Sequence, residues 1–101
     1  MPTKEDVINV IKQCYDPEIP VNVYDLGLIY DIQMDEPKDS IQITMSLTAQ
    51  GCPSAQQIPE QIQGMIESEL KIKNVNVTVV WDPPWTPERI TPEGKKRLGL
   101  V

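Results

Sequence analysis

Hydrophobic and polar residues alternate along this 101-residue chain with two different periods, and the points where the period changes mark its elements. Ile41, Ile43, Met45 and Leu47 are interleaved with Gln42, Thr44, Ser46 and Thr48, the two-residue period of a half-buried strand. Leu28, Tyr30, Ile32 and Met34 alternate in the same way with Ile29, Asp31 and Gln33. The stretch from Asp35 to Ser40 then reads as the turn that joins the two strands into an antiparallel hairpin. Val75, Val77, Val79 and Trp81, set among Asn76, Thr78 and Val80, predict a third strand. Helical spacing appears instead at Val7, Val10, Ile11 and Cys14, behind a capping Thr3 and the acidic first-turn residues Glu5 and Asp6. It returns at Ala55, Ile58, Ile62, Met65, Ile66 and Leu70, predicting a helix from Ser54 to Leu70 that Asn74 stops. Pro59 conflicts with that helix, because a proline in a helix interior deletes a backbone hydrogen bond; a kink or a separate first turn is expected there.

The resulting order is helix, strand, strand, helix, strand. One amphipathic helix cannot cover three strands, so both helices are expected on one face of a small mixed or antiparallel sheet, a two-layer α+β sandwich. The other face, with Thr44, Ser46, Thr48, Asn76 and Thr78, is polar enough to meet water. The length suits one domain, residues 1–101, with 82–101 as a proline-rich and basic C-terminal tail. Its start, Trp81-Asp82-Pro83-Pro84-Trp85-Thr86-Pro87, is too rigid to continue pairing. The two tryptophans could form a binding face, or Trp81 could close the tail over the core. Thr91-Pro92-Glu93 begins a last short helix, weakened by Gly94.

Charge removes several functions. Nine basic and fifteen acidic residues leave a net charge of −6, which opposes the attraction that nonspecific nucleic-acid binding relies on, so no nucleic acid is expected as partner. The basic residues Arg89, Lys95, Lys96 and Arg97 crowd the tail and read as a solvated basic end. No apolar run approaches the length of a membrane span and no leader pattern is visible; with two cysteines and no disulfide framework, a cytoplasmic protein is expected, with no membrane partner. Histidine is absent, which excludes a Ser-His-Asp triad, a Cys-His dyad and histidine metal sites within the chain.

The remaining chemistry centres on Gly51-Cys52-Pro53, between a predicted strand and a predicted helix. Gly51 permits a tight turn, Pro53 suits a first helical position, and Cys52 would fall at or beside the N-cap. Unpaired N–H groups there favour an anion, so a thiolate would form below the ordinary cysteine pKa of about 8.5, ready to attack electrophiles or bind a soft metal. A small apolar cysteine under a turn remains the other reading of Cys52. Cys14, on the apolar face of the first helix, reads as core. From Asp16 to Gly27 runs an acidic, proline-punctuated loop containing Asp16-Pro17-Glu18 and Tyr24-Asp25-Leu26-Gly27, long for so small a domain. Its Asp side chains could simply bond their own backbone; Glu18 has less structural reason to be there.

Taken in order, Asp16-Pro17-Glu18, Tyr24-Asp25-Leu26-Gly27-Leu28, Gly51-Cys52-Pro53 and Trp81-Asp82-Pro83-Pro84-Trp85-Thr86 resemble the metal-sulfur cluster biosynthesis family that contains SufT and the PaaD-like proteins. The similarity runs from the first helix to about Leu98. It implies a small α+β domain and an iron-sulfur cluster assembly or maturation factor that is not an enzyme, with assembly proteins and apo-protein clients as partners. Under that resemblance Cys52 matches the reactive, metal-binding cysteine, and Asp16, Glu18, Asp25 and Thr48 match the polar positions that accompany it. Clusters usually take four thiolates, and one good candidate per chain implies a transient iron-sulfur cluster or iron, completed by a second subunit, a small thiol or the client. A homodimer is compatible with the exposed strand edges. Two further functions compete: an adaptor without metal, serving the assembly machinery or an oxygenase complex, and a thiol enzyme or redox sensor, which lacks a histidine base.

Overall fold

The computed structural model describes residues 2–15, 20–47 and 57–99. Helix α1, Lys4–Ile11, starts where Thr3 accepts a hydrogen bond from the Asp6 N–H at 3.1 Å while the Asp6 carboxylate accepts one from the Thr3 N–H at 2.9 Å. This reciprocal cap satisfies two donors that a helix start otherwise leaves open. The helix ends before Cys14, which nevertheless lies fully buried in the core.

Strands β1, Ile29–Asp35, and β2, Ser40–Met45, form the expected antiparallel hairpin, turned by Glu36 to Asp39 with Asp39 in the left-handed region. Helix α2, Gln57–Leu70, then crosses back so that β3, Asn74–Val79, pairs parallel to β2, giving a mixed sheet of order β1-β2-β3. A parallel neighbour requires such a crossover, and the apolar stripe of Ile58, Ile62 and Ile66 buries it against the sheet. Helix α2 packs on β3 and α1 packs on α2, in one continuous core with Ile41, Ile43 and Met45. The α+β architecture read from the pattern is thus the one observed.

Pro59 is the third residue of α2 as described, and the segment from Ser54, where a kink or a separate first turn is expected, lies outside the described residues. Three details differ from the expectations. Lys71, with φ of 55°, and not Asn74, follows the last residue of α2; Asn74 opens β3 and donates its side-chain amide to the Lys38 carbonyl at 3.3 Å. The period of β1 breaks at a bulge: Ile29 stands opposite Met45 and Asp31 opposite Thr44, so Tyr30 has no place in the register. Ser46, expected to meet water, is buried at 1% exposure.

The tail docks instead of trailing. After β3 it passes a 3-10 turn, Pro87–Arg89, and ends in helix α3, Pro92–Arg97, capped by the Thr91 hydroxyl, which accepts from the Gly94 N–H at 3.1 Å. Trp81 is 39% exposed; Trp85 is the tryptophan that closes onto the core, donating its indole N–H to the Leu26 carbonyl at 2.6 Å. The indole ring supplies apolar area while its single donor is satisfied.

Candidate functional site

Of the five site residues read from the sequence, Cys52, Asp16, Glu18 and Thr48 lie outside the described residues, as does the whole of Gly51-Cys52-Pro53. What the structure describes is the framework from which those segments leave and to which they return. Tyr15 and Asn22 pair as an isolated antiparallel bridge, and the Val23 N–H donates to the Cys14 carbonyl at 2.9 Å, so the two flanks of the Asp16–Glu18 stretch are tied together. The Leu28 N–H then donates to the Val23 carbonyl at 3.2 Å, and the Leu28 carbonyl accepts from the Ser46 N–H at 2.8 Å. Through Leu28, the segment that follows Asp16 and Glu18 is joined by main-chain bonds to the end of β2. Two residues later, after Leu47, the chain continues into the stretch that contains Thr48 and Cys52.

Asp25 is described in full, and it works as a fastener. One carboxylate oxygen accepts from the Asn22 side-chain amide at 2.8 Å and the other from the Thr91 hydroxyl at 2.9 Å, while the Asp25 carbonyl accepts from the Thr91 N–H at 2.8 Å. Asn22 returns a bond by accepting from the Asp25 N–H at 2.9 Å. Charge-assisted bonds of this kind exceed neutral ones in strength, and here they join the acidic segment to the start of α3. Gly27 completes the joint. Its φ is 79°, and a Cβ there would stand 2.2 Å from the Arg89 carbonyl oxygen, so only glycine lets the tail lie this close. Gly94 is buried for the same reason, its missing Cβ leaving room for the Asp25 carbonyl and Ile90. The apparent weakness of α3 in sequence is therefore a packing requirement.

Two further groups bear on thiol chemistry. Cys14 sits against Met65, sulfur to sulfur at 3.5 Å, and burial, with the charge of Glu69 adding, pushes its thiol up to about 11. It stays protonated at neutral pH and is poorly suited to bind metal. The Ser46 hydroxyl is buried at the end of β2 without a hydrogen-bond partner among the described residues, a costly state for a polar group. The alternation that placed Ser46 on the outer face carried no signal for this. Thr91, Trp85 and Asn22 were also missed as site-framing residues, although Thr91 before Pro92 is a legible cap. Among the described residues no group of three or more Cys, Asp and Glu could hold a metal ion, and no helix is long and apolar enough to cross a membrane.

Known proteins resemble this chain over nearly its whole length. A family model described as iron-sulfur cluster assembly protein matches residues 4–79. A protein of Porphyromonas gingivalis named Fe-S protein maturation auxiliary factor is 38% identical over 99 residues, covering 98% of this chain and 93% of its own. The Fe-S protein maturation auxiliary factor YitW of Bacillus subtilis is 38% identical over 98 residues, covering 96% and 94%. The crystal structure of a domain of unknown function, DUF59, from Bacillus anthracis superposes with a TM-score of 0.89 at 33% identity, covering 97% of this chain and 92% of that one.

Proposed function

Since the chain belongs to the iron-sulfur cluster assembly protein family, we propose that it is an auxiliary factor in iron-sulfur protein maturation that carries cluster or iron transiently on Cys52. The observation that carries this reading is the main-chain relay Val23–Leu28–Ser46, which joins the segment after Asp16 and Glu18 to the end of the strand that leads toward Cys52. A soft thiolate and a hard carboxylate together would be a mixed donor set for iron. Asp16, Glu18 and Asp25 are the carboxylates proposed for it; each Asp25 oxygen already accepts one bond, from Asn22 or from Thr91, and keeps a second lone pair. Thr48, four residues before Cys52, is the polar companion on the Cys52 side.

The chain has two cysteines, and the buried, protonated Cys14 leaves one thiolate where clusters usually take four. The missing ligands then come from a second copy, a small thiol or the apo-protein client. Incomplete ligation suits a factor that must give up what it carries. Its partners on this reading are assembly proteins and apo-protein clients, its place the cytoplasm, and its role non-catalytic. The test is anaerobic reconstitution with iron and sulfide followed by absorption spectroscopy. Thiolate-to-iron charge-transfer bands are expected from the wild type and not from Cys52→Ser; bands unchanged by Cys52→Ser would overturn direct binding.

A further inference from the structure

Among the described residues the first edge of the sheet is open, and a groove runs along it. Strand β1 has a described neighbour on one side only, so its outer row of N–H and C=O groups has no strand partner among the described residues. Helix α1 packs on α2 and leaves space beside this edge. That space is a cavity of about 170 Å³ walled by Lys4 and Ile8 of α1, by Tyr24, and by the consecutive residues Ile29, Tyr30, Asp31 and Ile32. A second cavity of about 330 Å³, lined by Tyr24, Gly27, Ile29, Arg89 and Thr91, shares two of those residues and extends the groove toward the tail.

The rim carries the opposite charge to the rest of the molecule. Lys4, Ile8 and Lys12 recur every four residues and so share one stripe of the helix. The Lys12 ammonium lies 5.3 Å from the centre of the Tyr24 ring, and the Arg89 guanidinium 4.5 Å from that of Tyr30. Tyr24 lines both cavities and Tyr30 the first, so each cation stands against an aromatic residue of the groove. The Tyr30 hydroxyl is in turn anchored to the Pro83 carbonyl at 2.8 Å. Among the described residues that line the two cavities, Lys4 and Arg89 are the cations and Asp31 is the acid, accepting from the Gln33 side chain at 3.1 Å, in a chain whose net charge is −6.

We propose that this groove receives an extended, acidic segment of a partner protein, added to β1 as a fourth strand. Main-chain bonds to the open edge would give affinity, Ile8 and Ile29, both only half-buried, would take its apolar side chains, and Lys4, Lys12 and Arg89 would meet its carboxylates. A second copy fits less well: pairing β1 with β1 about a two-fold axis would set each basic rim against the other. The inference is independent of Cys52 and of any metal.

The test is fluorescence anisotropy of a labelled peptide of about eight residues alternating Glu and Val, titrated with the full chain at two salt concentrations. Saturable binding that weakens with salt is expected, with amide chemical-shift changes at Ile8, Ile29 to Ile32 and Arg89. Lys4→Glu with Arg89→Glu, both exposed positions whose fold circular dichroism checks, is expected to weaken binding at least about tenfold. The same peptide N-methylated at alternate residues is expected not to bind. Absence of saturable binding, equal binding of a Lys-for-Glu peptide, equal binding of the N-methylated peptide, shifts confined to another surface, or a dimer whose formation moves the same amides would overturn the proposal.

Discussion

Replacing Gly27 with alanine probes the joint between the acidic segment and the tail at its narrowest point. The added Cβ would lie 2.2 Å from the Arg89 carbonyl oxygen and 2.6 Å from its carbon, both backbone atoms, where ordinary contact begins near 3.4 Å. The tail must therefore retreat by about 1 Å or Gly27 must change its backbone angles. Keeping the present angles is itself unfavourable, since a φ of 79° costs a residue with a Cβ about 1 kcal/mol. If the tail lifts, the bonds Trp85–Leu26, Tyr30–Pro83 and the Thr91–Asp25 pair weaken together, at about 1 kcal/mol net for each bond lost. A loss of roughly 2–4 kcal/mol is expected, which for a domain of this size lowers Tm by about 10–25 °C. Urea unfolding gives the free energy. Emission from Trp85, recorded in a Trp81→Phe background, reports whether the indole has left its half-buried seat. A variant within about 0.5 kcal/mol of the wild type, with unshifted Trp85 emission, would refute the reasoning.

Gly64→Ala is the matched opposite: the site is exposed, helical and has nothing within 4 Å of the added carbon, so about 0.5–1 kcal/mol of stabilisation is expected from the same urea experiment. Ser46→Ala removes a buried hydroxyl without a partner among the described residues and is expected to raise stability by about 1 kcal/mol; a loss of similar size would show that the hydroxyl is bonded. Cys14, raised from 9.0 to about 11 by burial and by Glu69, keeps its proton in the fold while the unfolded chain releases it. Its contribution to stability is therefore complete below pH 9 and declines as pH rises toward 11, and Cys14→Ala is expected to remove that part of the alkaline loss in unfolding curves at pH 8 and pH 10.5.

The layers of the fold were legible because burial writes itself into periodicity. Ile41, Ile43 and Met45 are fully buried as their alternation predicts, and Thr3 caps α1 as its position before Glu5 and Asp6 predicts. What escaped the pattern depends on contacts between residues distant in sequence. The Tyr30 bulge shifts the register of β1 without changing its composition, and Tyr30 meets Pro83 and Arg89 from the tail. Trp85 rather than Trp81 closes the core because Leu26 offers a carbonyl to its indole, a partner invisible at 59 residues' separation. At the candidate site, Asp25 stands out through the family resemblance of Tyr24-Asp25-Leu26-Gly27, but its bond to Thr91 spans 66 residues. Only three-dimensional structure identifies it as the fastener of the tail.

Transfer is the sharpest measure of the proposed role. Protein loaded anaerobically with iron and sulfide is mixed with an excess of a chelator-stripped, cluster-dependent enzyme, and the recovered activity is followed against free iron and sulfide at equal concentration. Wild-type protein is expected to restore activity faster than the free ions, and Cys52→Ser no faster than they do. Equal restoration by wild type and Cys52→Ser would contradict a carrier built on that thiol.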